Sequence, residues 1–152
     1  MDRQQTQHMA DLITRRRDLM VKILKCSMEQ ERAISDGLVE QLVSRLNEKQ
    51  VLVNELIEIQ AALKPYSGVD AEHRDWESED LRLRCRHEIE ETERMNTAIL
   101  EIDTRCERAM VQRRSELFDA LNKNTDAATV ARAYNAGSSP KGGGGSFDLS
   151  SG

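Results

Sequence analysis

Few residues of this chain have side chains able to do chemistry, and their spacing assembles no catalytic site. The histidines are His8, His73 and His87. A nucleophilic cysteine needs a histidine within hydrogen-bonding reach. Cys85 is the nearest candidate, but it lies two residues before His87 on a predicted helix. Residues at this spacing point to different helix faces, so we expect no nucleophilic catalysis.

One short segment carries metal-ligand residue types, namely His87, Glu88 and Glu91. Carboxylate-bridged metal bundles need a Glu-x-x-His motif on each of two helices, with further carboxylates on the others. The sequence contains no Glu-x-x-His motif, and it contains no glycine-rich phosphate loop. We therefore expect no enzyme activity, no metal and no cofactor, and we interpret Glu88 as a residue that sets helix register or lies on the surface.

The cysteines are Cys26, Cys85 and Cys106, an odd number with no Cys-x-x-Cys pair. This pattern does not predict a disulfide framework. Cys85 and Cys106 fall on an apolar seam, so small buried thiols are expected.

The composition is typical of long helices or coiled coil. Charged residues make up 32% of the chain and aromatic residues 3%. The net charge of −5 argues against a nucleic-acid partner, and the basic run 15–17 is interpreted as a solvated helix face. No apolar run approaches the length of a membrane span, so we expect a cytoplasmic protein without stable membrane insertion.

Apolar residues recur at helical spacing in three stretches, which predict helices at about 5–34, 38–64 and 79–121. The second stretch has two apolar edges, one containing Leu42 and Leu56 and the other containing Val39, Val43 and Ile57. Because it is the most hydrophobic stretch, we predict that it forms the central helix. It should end before Pro65, which disfavours a helical conformation of the preceding residue.

The connection at 35–37 leaves two alternatives open. Ser35, Asp36 and Gly37 are turn-forming residues, and a new apolar phase starts directly after them. We favour a tight reversal between antiparallel helices over a kink in one long helix.

The third predicted helix has a heptad seam, and Ser78 is a candidate N-cap. At 1.5 Å per residue this helix spans about 64 Å and the second about 39 Å. One end should therefore lack an intramolecular partner. The seam residues are Leu81, Cys85, Glu88, Thr92, Met95, Ile99, Ile102, Cys106 and Ala109.

These elements predict an all-α fold, an elongated three-helix bundle or coiled coil made of an antiparallel hairpin and one long third helix. Residues 1–122 form the predicted helical domain, and Trp76 is expected to cover one end of the bundle. Residues 123–152 form a predicted flexible tail with weak helical potential at 126–134. The glycine run 142–146 is either native low-complexity sequence or an engineered linker.

Three segments resemble the FlgN family of flagellar export chaperones, and the resemblance covers roughly residues 10–137. Segment 29–63 is similar to the family's helical hairpin, 93–100 to its Asn-centred segment, and 133–137 to its Ala-Tyr…Gly element. The residues that carry the first and third similarities are Ala33, Ile34, Asp36, Gly37, Glu48, Lys49, Gln50, Ala133, Tyr134, Asn135, Ala136 and Gly137.

The resemblance implies a cytoplasmic chaperone that binds hook–filament junction proteins by their C-terminal helical segments before type III export. It also implies delivery of this cargo to the export gate and ATPase components. On this basis we expect a monomer or weak dimer. The alternatives are a structural coiled-coil scaffold and a different flagellar export chaperone, of the filament-cap type.

A free amphipathic helix end can take up an amphipathic cargo helix. We therefore predict a partner-binding surface on the last turns of the third helix and the segment after it. The alternative is that the leucines and phenylalanine of this set close the intramolecular bundle. The predicted partner-binding residues are Met110, Leu117, Phe118, Leu121, Val130 and Tyr134.

Overall fold

The computed structural model of this chain describes residues 2–68 and 73–123. These residues form helices α1 (Arg3–Asp36), α2 (Val39–Leu63) and α3 (Glu79–Lys123), with a 3₁₀ turn at Lys64–Tyr66 and no strand. The all-α fold is thus confirmed. The chain divides into two compact units, Met1–Ile102 and Asp103–Gly152. Within the described ranges, no helix is apolar over enough of its length to cross a membrane.

Both ends of α1 are fixed by local hydrogen bonds. At its start, the Asp2 carboxylate accepts from the backbone N–H of Gln5, and the Gln5 side chain accepts from the Asp2 N–H. At its end, Gly37 adopts φ 70°, and the N–H groups of Gly37 and Leu38 donate to the carbonyls of Ile34 and Ala33. This Schellman motif reverses the chain, so the expected turn, and not a kinked helix, connects α1 and α2.

The central helix of the first unit is α1, and the prediction that the second helix is central was wrong. Thirteen residues of α1 are buried, whereas α2 buries only Leu42, Lys49 and Ile59. A helix packed on two sides needs a wide face without charge. In α1, small or uncharged residues such as Thr6, Ala10 and Ser27 widen the apolar stripe and are themselves buried. The mean hydropathy of a helix does not measure the width of its apolar stripe.

The helices α1 and α2 run antiparallel, and α3 runs parallel to α1. Leu12 and Leu19 pack with Ile59 of α2, while Met20 and Ile23 pack with Ile99 of α3. Together these contacts make a bundle core with α1 between its two neighbours.

The heptad seam predicted for α3 is confirmed by burial. In the first unit its members are buried or half-buried, from Leu81 to Ile102. In the second unit Cys106 is buried and Ala109 half-buried. All three cysteines are buried and none forms a disulfide, as expected.

The connection between α2 and α3 closes one end of the core. Trp76 is half-buried and packs against a cluster formed by Met9, Ala10, Ile13 and Cys85, which agrees with its predicted position. The Ser78 hydroxyl accepts a hydrogen bond from the N–H of Leu81 at 3.1 Å, so Ser78 caps α3 as predicted.

Candidate functional site

The last described turns of α3 are exposed without interruption. Every residue from 111 to 120 lies on the surface. Val111 and Leu117 are each 63% exposed, and Phe118 is 60% exposed. Large apolar side chains at this exposure are uncommon in a solvated helix, and several of them together mark an interaction surface.

Helix geometry brings four of the predicted partner-binding residues to one face. Met110, Leu117 and Leu121 are spaced at i, i+7 and i+11, and Phe118 lies beside them. Met110 and Leu121 are half-buried, whereas Leu117 and Phe118 are exposed. The exposure of the last two argues against their closing the intramolecular bundle.

The other two predicted residues, Val130 and Tyr134, lie outside the described residues. Sequence reasoning had missed Val111, which directly follows Met110 and widens the same face on the side of Phe118. Its spacing of seven residues from Phe118 is the pattern that could have identified it. We call Met110, Val111, Leu117, Phe118 and Leu121 the α3 end face.

Charges of both signs lie along the α3 end face, with Glu107 three residues before Met110. Arg114 lies four residues after Met110 and three before Leu117, which puts it on the same face. Glu116 is turned to another side, where its carboxylate accepts a hydrogen bond from Gln112 at 3.3 Å. The face therefore suits an apolar partner segment that carries a carboxylate opposite Arg114.

Two clefts in the first unit lie beside Arg74. One has a volume of about 350 Å³, with Met9, Ile13 and Leu63 in its apolar wall and Arg16 at its edge. The other, of about 370 Å³, is lined by residues that include Trp76, Cys85 and Ile89. The Arg74 guanidinium donates to the carbonyl of Tyr66 at 2.6 Å, which holds it in place between the clefts.

One ionisable group lining each cleft has a shifted pKa, Cys85 in one and Arg16 in the other. Burial raises the pKa of the Cys85 thiol, and nearby Glu88 raises it further, so the thiol stays protonated near neutral pH. Burial lowers the pKa of Arg16, although nearby Glu93 acts in the opposite direction. Across residues 2–68 and 73–123, no three His, Cys, Asp or Glu side chains come together in a group that could hold a metal ion.

The candidate metal-ligand residues of the sequence instead make structural contacts. Glu88 is 8% exposed, and its carboxylate accepts a hydrogen bond from the Thr14 hydroxyl at 2.7 Å. His87 Nε2 lies 2.7 Å from the carboxylate of Glu91, which also receives Arg17 Nε at 3.0 Å. The Thr14–Glu88 and Arg17–Glu91 contacts join α3 to α1 and fix their register, which is one of the two roles expected for Glu88.

No protein-family model, curated protein or solved structure matches this chain in the comparisons.

Proposed function

We propose that this chain is a cytoplasmic flagellar export chaperone of the FlgN type, which binds a helical segment of a hook–filament junction protein before export. The flagellar assignment rests on the sequence resemblance. The binding mode rests on one structural observation, the exposed apolar residues of the α3 end face.

The physical case for protein binding is the free energy available from this face. Fully burying a Val, Leu or Phe side chain contributes about 1.5–3 kcal/mol, and Val111, Leu117 and Phe118 are all more than half exposed. An amphipathic cargo helix laid against them would bury these side chains in the helix-in-groove mode. Part of that energy is offset by the cost of ordering the partner, which favours the reversible binding that an export chaperone needs.

The test is recovery of a hook–filament junction protein from a lysate of flagellated source cells. The full chain is compared with a chain truncated after Asn122 and with a Leu117→Ser/Phe118→Ser variant. The matched control is Leu83→Ser, because Leu83 is 50% exposed on α3 but lies outside the α3 end face. We expect the full chain and the control to recover the junction protein and the double variant to lose it.

The truncation after Asn122 distinguishes a cargo site at residues 123–152 from one on the helical domain. Loss of cargo only on truncation would place the main contact at 123–152, which includes Val130 and Tyr134. Recovery of the junction protein by all variants would move the site to another surface of the helical domain. Recovery of a filament-cap protein would favour the other type of export chaperone.

A structural coiled-coil scaffold is the second candidate, and the heptad seam of α3 is the observation that favours it. In the first unit, however, this seam is occupied within the chain, since Cys85 and Ile99 pack with residues of α1. Recovery of no flagellar protein by any form of the chain would favour the scaffold.

A further inference from the structure

The most hydrophobic of the described helices, α2, leaves several large apolar side chains uncovered. In α2, Val39 is 66% exposed, Val43 44% and Ile57 52%. These residues lie on a side of the helix next to that of Leu42 and Leu56, which face the core. The fold thus leaves the side chains of Val39, Val43 and Ile57 largely exposed.

The exposed residues form a second seam along α2. The seam residues are Val39, Val43, Leu46, Gln50, Val53 and Ile57, spaced alternately by four and three. This is heptad spacing, which keeps a row of side chains on one side of a helix that packs against another helix. Leu46 and Val53 are half-buried at its inner edge, and no position of the row is charged. We call this row the α2 outer seam.

Helix stability does not explain the α2 outer seam. Valine and isoleucine lose side-chain freedom in a helix, so they are poorer helix formers than Ala, Leu, Lys or Glu. A face used only for solvation would favour those better formers. β-Branched residues at heptad spacing are instead well suited to packing in a two-helix seam. Gln50, in the middle of the row, bonds Asn54 at 2.9 Å and can specify register there.

The charges beside the α2 outer seam indicate what covers it. Glu40 directly follows Val39 and Glu58 directly follows Ile57, so both carboxylates lie on the same border. Both residues are exposed. If a second copy paired antiparallel, with Val39 of one copy opposite Ile57 of the other, Glu40 and Glu58 would lie near each other on the same border. Like charges in this position oppose pairing, whereas Lys or Arg on a partner helix would favour it.

We propose that the α2 outer seam is a docking surface for an amphipathic helix of another protein, with an apolar heptad row bordered by Lys or Arg. The surface lies wholly within the first unit and is separate from the α3 end face. It therefore does not depend on the chaperone proposal, and either proposal can fail alone.

The test uses the full chain and a labelled synthetic amphipathic peptide of about three heptads, with Leu and Ile in the apolar row and Lys along the border. A control peptide has the same apolar row and Glu along the border. Binding is followed by fluorescence anisotropy. We expect the Lys peptide to bind about tenfold more tightly than the Glu peptide at low salt, and this difference to shrink as salt rises.

Three variants locate the site. Val43→Glu and Ile57→Glu should each weaken binding of the Lys peptide about tenfold or more, because each puts a charge into the apolar row. Val21→Glu is the matched control and should leave the affinity unchanged, because Val21 is 45% exposed but lies on α1, outside both proposed surfaces. Far-UV circular dichroism checks that each variant keeps its helical content.

A charge exchange keeps the test decisive even if a seam variant fails to fold. Glu40→Lys/Glu58→Lys leaves the apolar row intact and should reverse the preference, so that the Glu peptide binds more tightly. Equal binding of both peptides to the natural chain, or a loss with Val21→Glu and not with Val43→Glu, would overturn the proposal. So would sedimentation showing a dimer that Val43→Glu converts to a monomer, because a second copy would then be the occupant.

Discussion

At the scale of single residues, a few polar contacts decide how α3 is placed on α1. Thr14 and Arg17 lie one helical turn apart on α1, and their partners Glu88 and Glu91 have the same spacing on α3. Two parallel helices in register give this repeat of contacts. Glu88 lies in the α3 seam and Glu91 lies beside it, so each contact both satisfies a polar group and fixes the register.

Replacing Thr14 tests the value of the more buried contact. Thr14→Val should lower the free energy of unfolding by about 1–2 kcal/mol, because the nearly buried Glu88 carboxylate loses its hydroxyl donor. Denaturation in urea measures the change. Thr97→Val is the matched control, since the Thr97 hydroxyl only donates to the backbone carbonyl of Glu93 at an exposed position. An equal effect of both substitutions would show that the Thr14–Glu88 contact contributes nothing beyond helix propensity.

The contact of Arg17 with Glu91 predicts a pH dependence. The hydrogen bond from Arg17 lowers the pKa of Glu91 below its usual value, so ionised Glu91 stabilises the folded state above that value. This contribution is lost as the pH falls through the lowered pKa in the acid range. Glu91→Gln should therefore lose less stability than the natural chain between neutral pH and about pH 3.

Urea midpoints at a series of pH values provide the measurement. Glu90→Gln is the control, because the Glu90 carboxylate lies 3.6 Å from exposed Arg86 of the same helix. If the urea midpoints of Glu91→Gln and of the natural chain fell equally as the pH is lowered below neutral, the ion pair would not contribute to folding.

At the scale of elements, the helical hairpin depends on one backbone conformation. Gly37 is the only residue with positive φ among those described, and this conformation closes the Schellman motif between α1 and α2. A side chain at this position meets the steric cost of the left-handed region.

Substitution of this glycine should therefore be harmful where substitution of another is not. Gly37→Ala should lower the free energy of unfolding by about 1 kcal/mol. Gly68→Ala is the control, because Gly68 does not have positive φ and an added Cβ meets no atom within 4 Å. It should be neutral or stabilise by up to about 1 kcal/mol, since alanine restricts the unfolded chain. Urea denaturation distinguishes the two, and a harmless Gly37→Ala would contradict the predicted strain.

At the scale of the whole molecule, packing is distributed unevenly along the chain. The apolar clusters lie in the first unit, whereas residues 111–120 of α3 make up an exposed stretch in the second. A helix end without buried apolar contacts opens at lower free energy than a packed core.

Two spectroscopic signals should therefore separate during unfolding. Trp76 is the only tryptophan and packs against the first unit's core, so its fluorescence reports that unit. Far-UV circular dichroism reports all helical residues, including 111–120. We expect the circular dichroism signal to fall at lower urea than the Trp76 signal. A chain truncated after Met110 should bring the two transitions together. Coincident transitions in the full chain would instead show that its α3 unfolds as one unit.

Some features of the candidate site were accessible from sequence, and others were not. The spacing of Met110, Leu117 and Leu121 predicts a common face, because helical periodicity is local. The exposure of Leu117 and Phe118 could not be predicted, because the same pattern would also suit residues buried in a bundle. Val111 lies beside the row of Met110, Leu117 and Leu121, and only its spacing of seven residues from Phe118 indicates that it belongs to this face.

The sequence by itself determined the three helices, the Ser78 cap, the heptad seam of α3 and the burial of the cysteines. Each of these depends on residues within one or two turns of one another. Only the tertiary structure decided that α1 is central, that α3 lies parallel to it in the Thr14–Glu88 register, and that the outer side of α2 stays uncovered. These features depend on which of several apolar faces meet across the chain, and local spacing leaves that choice undetermined.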